Sequence, residues 1–261
     1  QGQNMQCGVR EVAMAGIANG LALYGGLKVF VSTFFVFSDY LKPMARLSAL
    51  MQLPVTYIFT HDSIGVGEDG PTHEPVEHIA MFRSMPNFVT FRPADFKETL
   101  AAWKFILTQQ KTPVALILSR QNLPQLKNTG DNALKGAYIV EKETKKEPDL
   151  ILIATGSELN LAVRAREELL KENIDARVVS MPSMELFEEQ TEEYKESVLP
   201  SNNKKRLIIE ALSKFGWGRY MGFEGKSITM DTFGKSAPGD ILFKEFGFTV
   251  DNVVKTAHEL L

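Results

Sequence analysis

Residues 25–63 read GGLKVFVSTFFVFSDYLKPMARLSALMQLPVTYIFTHDS, and the hydrophobic periods inside this stretch decide the fold class. Gly25 and Gly26 close an alanine- and leucine-rich helical pattern at 12–23, and a short β-branched run follows at 28–33. Residues 41–53 then place Leu41, Met44, Leu47 and Leu50 at helical spacing, with Pro43 setting the start of the regular helix close to it. At 54–60 the pattern returns to strand. Strand, helix and strand in this order is the unit from which parallel sheets are built.

Working outward, strand patterns recur at 88–91 and 114–119, separated by helical patterns at 75–83 and 95–109. That alternation predicts a parallel sheet with helices on both faces. Residues 122–148 turn polar, and the run Glu141-Lys142-Glu143-Thr144-Lys145-Lys146-Glu147 reads as a solvated linker. A second alternation has strands at 150–154, 176–181, 206–210 and 227–230, a helix at 159–172, and closing helices after Gly239 and Val250. The expected fold is α/β in two domains, each a mostly parallel sheet flanked by helices: residues 1–125, a linker at 126–148, and residues 149–261. A chain of 261 residues with 44% hydrophobic content has apolar area for two such cores.

Composition removes several function classes. A net charge of -3 gives no basic footprint for nucleic acid or an anionic membrane. No apolar run approaches the roughly 20 residues of a spanning helix, and the start lacks a signal-peptide pattern. The single cysteine, Cys7, cannot form an internal disulfide and reads as a small buried hydrophobe in a reducing, cytoplasmic setting. The sequence opens on Gln1 rather than Met, as a piece of a longer chain would.

Ligands of open parallel sheets bind beyond the carboxyl ends of the strands. The residues there are 34–40, with four aromatics, then His61-Asp62-Ser63, then Arg120. The loop at 61–78 holds three of the four histidines, glycines at 65, 67 and 70, and the acids Asp62, Glu68, Asp69 and Glu74. Glycines admit close approach to a ligand, and histidine with carboxylate offers proton transfer near neutral pH. Zinc is the competing reading, but His73 and His78 lie five apart and do not share a helical face, so no metal site is assigned. Spacing alone reads Glu11 as a first-turn acid favoured by the helix dipole, and Phe34, Phe37 and Tyr40 as one core-facing helix stripe.

Taken together, Gly8-Val9-Arg10-Glu11, Ser32-Thr33-Phe34, Thr60-His61-Asp62-Ser63-Ile64-Gly65, Gly67-Glu68-Asp69-Gly70-Pro71-Thr72-His73 and Leu118-Ser119-Arg120-Gln121-Asn122 resemble the transketolase family in order and spacing. The likeness continues through Ala154-Thr155-Gly156-Ser157-Glu158, Val179-Ser180-Met181-Pro182 and Thr232-Phe233-Gly234 to Glu245-Phe246-Gly247-Phe248-Thr249. It implies a thiamine-diphosphate pyrimidine-binding domain followed by the family's C-terminal domain. The family's catalytic glutamate falls on Glu11, which would bond the pyrimidine N1′ and favour the imino tautomer that activates the thiazolium carbon. Phe34, Phe37 and Tyr40 match the pocket around the pyrimidine. His61 and Arg120 match sugar-phosphate ligands, Asp69 the contact to the acceptor's α-hydroxyl, and His73 the contact to the donor's hydroxyl and the catalytic intermediate.

The implied reaction moves a two-carbon ketol unit from a ketose phosphate to an aldose phosphate in the pentose phosphate pathway. The implied partners are sugar phosphates, a second copy in a homodimer, and an N-terminal half that holds the diphosphate through magnesium or another divalent cation. Without that half, the chain is expected to be inactive. Cys7 and Val12 depart from the family's usual larger side chains, and both concern packing beside Glu11. Gly156-Ser157-Glu158 resembles a phosphate cradle, but the family reading of it is structural. The rival readings are the β-subunit of a 2-oxo acid dehydrogenase, a deoxyxylulose phosphate synthase, and a non-catalytic dimerisation module.

Overall fold

The computed structural model describes residues 4–261; Gln1, Gly2 and Gln3, on which the start of the first expected domain falls, lie outside the described residues. The first sheet is parallel, with strands β1 (Phe30–Phe34), β2 (Thr56–Thr60), β3 (Val89–Phe91) and β4 (Val114–Ile117) in the order β1-β2-β4-β3. Helices α1 (Glu11–Tyr24), α2 (Ser38–Leu50), α3 (His78–Arg83) and α4 (Phe96–Thr108) connect and cover it. Ala15 and Ala18 are fully buried where α1 meets α2, small enough for the two backbones to approach. A buried polar chain ties the same elements: the Asn19 amide donates to Met44 O at 2.9 Å, and Ser48 Oγ lies 2.5 Å from both Asn19 Oδ1 and the Tyr57 hydroxyl. Burial pushes the Tyr57 hydroxyl up to about 12, so it stays neutral and able to donate. Beneath lies an aromatic core of Phe35, Tyr57, Phe59, Phe82 and Phe88, worth about 1.5–3 kcal/mol per ring in transfer free energy.

Helix α2 begins at Ser38, five residues before Pro43. A 3-10 turn at Phe35–Phe37 leads directly from β1 into the helix, so Pro43 is accommodated inside it at the loss of one backbone bond. Likewise α3 starts at His78 and not at Pro75.

The second sheet has β5 (Tyr138–Glu141), β6 (Leu150–Ala154), β7 (Ala176–Ser180), β8 (Arg206–Glu210) and β9 (Lys226–Thr229) in the order β5-β7-β6-β8-β9, with β5 antiparallel to β7 and the rest parallel. Its helices are α5 (Glu158–Lys171), α6 (Met184–Glu188), α7 (Glu192–Val198), α8 (Gly218–Met221), α9 (Gly239–Glu245) and α10 (Val250–His258). Strands β6 and β7 are buried along their whole length, as expected between two helical layers.

The linker expected at 126–148 is corrected. It contains an edge strand, with Tyr138 and Val140 buried. Within its charged run, Glu143 is buried and pairs with Arg177 through Nε at 2.8 Å and Nη2 at 2.5 Å. A polar composition does not reveal a counter-ion 34 residues away. Tyr138 also donates to buried Glu98 of α4 at 2.7 Å, joining the two sheets' domains.

Candidate active site

Phe34 is the last residue of β1, and the register pairs it with Thr60, so the next residue on the neighbouring strand is His61. His61 adopts φ 63°, the left-handed region that non-glycine residues rarely occupy. The turn lays its imidazole flat on Phe34, with ring centroids 3.6 Å apart and planes 18° apart. The stack continues from Phe34 to Phe37 at 6.2 Å and 11°, and from Phe37 to Tyr40 at 6.2 Å. His73 meets Phe37 edge-on at 5.4 Å. Five sequence-assigned residues therefore form one continuous column on the strand-end rim.

The column is not the core stripe that three-residue spacing suggests. Phe34 ends a strand, Phe37 closes a 3-10 turn and Tyr40 lies in α2, so the three are not on one helix; Tyr40 is 64% exposed. Cys7 is likewise half-exposed and not buried, because the segment before α1 runs along the surface.

Arg120 comes three residues after β4, which lies beside β2, and it is exposed, as is Asp69. Partial burial lowers the imidazole's affinity for a proton, Arg120 lowers it further, and Asp69 and Asp62 oppose them; the net direction is below the ordinary histidine value. Thus His61 lies within the field of both Arg120 and Asp69, and the balance favours its neutral form. Its Nδ1 lies 3.0 Å from Thr60 Oγ1, which engages one ring nitrogen. His73 is held the same way, Nδ1 to Thr72 Oγ1 at 2.9 Å. Glu11 stands apart, as the first residue of α1; it is half-buried, with no hydrogen bond or ion pair to another of the described residues. A face of stackable rings suits a flat aromatic ligand.

Two glycines of the 61–78 loop, Gly67 and Gly70, face a part of the protein itself. A Cβ on Gly67 would lie 3.4 Å from the backbone of Gly239, and one on Gly70 would lie 3.1 Å from Ser236 Cβ. Gly67 and Gly70 thus admit the second domain, whereas a Cβ on Gly65 would run into the Gln121 side chain of the first. Beside Arg120, the two domains leave a cleft of about 510 Å³ lined also by Gln121, Ser157, Asn160 and Arg164.

Sequence reasoning missed Arg92 altogether, and for Asp62, Glu74 and Glu158 it missed their burial. Arg92, wholly buried after β3, pairs with Asp62 Oδ2 through Nε at 2.9 Å and Nη2 at 2.8 Å, and with Glu158 Oε2 through Nη1 at 2.5 Å. Burial disfavours the guanidinium charge, but Glu158, Asp62 and Glu210 outweigh that and hold it charged. Burial raises Glu158 above the ordinary range, outweighing Arg92, and the nearby Asp62 carboxylate adds to the rise. Glu158 also accepts from Ala211 N at 2.9 Å, which gives Gly156-Ser157-Glu158 a structural task. Glu74 is 2% exposed, and burial pushes its carboxyl up to about 7. The N–H groups of Lys235 and Gly67 face it and oppose that shift, although neither closes a well-aligned hydrogen bond. No periodicity or spacing marks these residues in the sequence.

Residues 1–125 match the family model described as transketolase, pyrimidine binding domain, and residues 136–249 match the transketolase-like TK C-terminal domain. The chain is 58% identical over 264 residues to a transketolase of Bacillus subtilis (strain 168), with all of this chain and 40% of that protein covered. It therefore spans well under half the length of the curated relatives it matches. A solved transketolase from Leishmania mexicana superposes with a TM-score of 0.92 at 44% identity, over 97% of this chain and 37% of that one. A structure described as a split gene transketolase, inactive beta4 tetramer, superposes with a TM-score of 0.80 at 25% identity, over 97% of this chain and 82% of that one.

Proposed function

The chain belongs to the transketolase family, matching the C-terminal part of its members, and from that premise we propose that it supplies the activating and sugar-recognising half of a thiamine-diphosphate-dependent ketol transferase. The observation that carries this reading is the continuous column His61–Phe34–Phe37 with Tyr40 and His73 at its end. In this reading Phe34, Phe37 and Tyr40 stack on the cofactor's pyrimidine and exclude water, and Glu11 shares a proton with its N1′. Thiamine diphosphate, when bound, supplies the carbon nucleophile and electron sink that side chains lack.

His61 and Arg120 take the sugar phosphate, the neutral imidazole by a hydrogen bond and the guanidinium by a charged fork. Asp69 accepts the α-hydroxyl of the acceptor, and His73 moves a proton at the donor's hydroxyl. In the same reading, magnesium or another divalent cation and the diphosphate are held by the N-terminal half of the family's fold. Residues 1–125 are taken as the pyrimidine-binding domain, and the sheet of the second domain reaches back to Tyr138.

A second copy is the proposed partner of the exposed apolar faces of α1 and α2, where Val12, Ile17, Leu23 and Leu50 are all more than two-fifths exposed. The split-gene neighbour described as an inactive tetramer supports the reading that this portion alone does not turn over. A cytoplasmic place in the pentose phosphate pathway belongs to the same proposal; no helix among the described residues is long and apolar enough to cross a membrane.

The test is reconstitution. The chain mixed with a folded N-terminal transketolase half, magnesium and thiamine diphosphate should transfer a ketol unit from xylulose 5-phosphate, and should prefer it to pyruvate. No transfer with a correctly folded partner, or preference for pyruvate, would overturn the reading.

A further inference from the structure

The loop at 61–78 carries three of the proposed substrate residues, His61, Asp69 and His73, and a buried acid follows two of them directly: Asp62 after His61, and Glu74 after His73. Both acids are tied to the second domain. Asp62 is bound by Arg92, whose Nη1 donates to Glu158 Oε2 and to Thr155 O and Oγ1 at 3.1 and 2.8 Å; the Thr155 hydroxyl in turn donates to Glu210 Oε1 at 2.7 Å. Glu74 packs so closely on the 232–236 loop that a Cβ on Gly234 would fall 1.7 Å from its Oε2. Between these two points Ser236 Oγ donates to Glu68 O at 2.5 Å.

We propose that the second domain is the positioning element of the substrate loop, holding it at both ends through Glu158–Arg92–Asp62 and through Glu74 against Gly234 and Lys235. This rests on the proposed function for what the loop does, but not for how the loop is held. The left-handed backbone of His61 is a costly conformation, and such a residue persists only where its surroundings over-determine it. On one side β2 fixes it by register; on the other Asp62 is fixed by a guanidinium that is itself clamped by the second domain. Loosening the clamp lets His61 leave Phe34 without touching either ring. Arg92 and Glu158 are therefore positioning residues, acting through Asp62.

The experiment reads the imidazoles directly. The chain has four histidines, His61, His73, His78 and His258, so nitrogen-15 spectra of the rings are assignable with His→Gln variants. Wild-type His61 should carry the ring-current shift of Phe34. Glu158→Gln and the milder Thr155→Val should move the His61 signals toward free-histidine values and leave His258 in place; Glu74→Gln and the milder Ser236→Ala should do the same for His73. Glu143→Gln, which breaks a buried ion pair of similar kind away from the loop, should move neither. If a charge-removing variant does not fold, its milder counterpart decides. Unchanged His61 and His73 signals in folded Thr155→Val and Ser236→Ala would overturn the proposal, as would equal shifts in Glu143→Gln. In the reconstituted enzyme, Thr155→Val should raise KM for the sugar phosphate about 10-fold with kcat little changed, as misplacement of a binding group does. Lack of turnover by the wild-type assembly would overturn the proposed function alone, because the spectra need no catalysis.

Discussion

The imidazole of His61 lies parallel to the Phe34 ring at 3.6 Å because β1 and β2 end in register and His61 turns through the left-handed region. Two residues 27 positions apart thus form one flat surface. The contact is worth about 0.5–1.5 kcal/mol beyond burial, so its loss should be felt in binding more than in folding.

Phe34→Leu keeps apolar volume and removes the stack. The expected outcome is a folded chain with a melting temperature close to wild type, and KM for a phosphorylated donor raised about 3- to 10-fold in the reconstituted enzyme. Steady-state kinetics with phosphorylated and unphosphorylated ketoses checks it; an equal effect on both would place His61 away from the phosphate.

Glu11→Gln separates stability from chemistry. The side chain opens α1, where a carboxylate contributes at most about 1 kcal/mol through the helix dipole, so urea unfolding should shift little. Ketol transfer should fall about 10²- to 10⁴-fold if Glu11 exchanges the proton at N1′. A large loss of stability with activity retained would restore the plain first-turn reading.

Arg92→Met leaves Asp62 and Glu158 buried without their cation. Breaking one side of a buried ion network costs about 3–5 kcal/mol, measurable as a lower urea midpoint. Arg177→Met should cost a similar amount through Glu143 while sparing the His61 ring signals.

Two groups of the loop pull stability in opposite directions with pH. Glu74 binds its proton more tightly folded than unfolded, so its contribution is full below about pH 4.5 and is lost as pH rises through about 7. His61 binds its proton less tightly folded, so its contribution is present above about pH 6.5 and is lost as pH falls through the lowered folded value. Urea titrations at several pH values should show the alkaline loss vanish in Glu74→Gln and the acid loss shrink in His61→Gln.

Much of the fold was legible because local period and strand burial agree. Strands 150–154 and 206–210 and the helix at 12–23 were read almost to the residue, since continuous apolar runs and capping glycines act over a few positions. Strand β5 was not legible: its polar neighbourhood reads as linker, and only pairing with β7, where Tyr138 faces Ser180, makes it a strand. In the site, the assigned residues were named through the family resemblance, and nothing in the order of residues says that Phe37 bridges Phe34, Tyr40 and His73.

The sequence by itself determined two α/β domains, the strand-end rim and the residues that gather there, because hydrophobic period and loop position are local properties of the chain. Only the tertiary structure decided what holds them. Arg92 and Glu158 are ordinary charged residues in the sequence, and their meaning comes from being carried out of water between two domains, where each meets its counter-ion far along the chain. The glycines of the loop make the same point. Their spacing announces close approach, and the fold alone shows that the surface approaching Gly67 and Gly70 is the second domain.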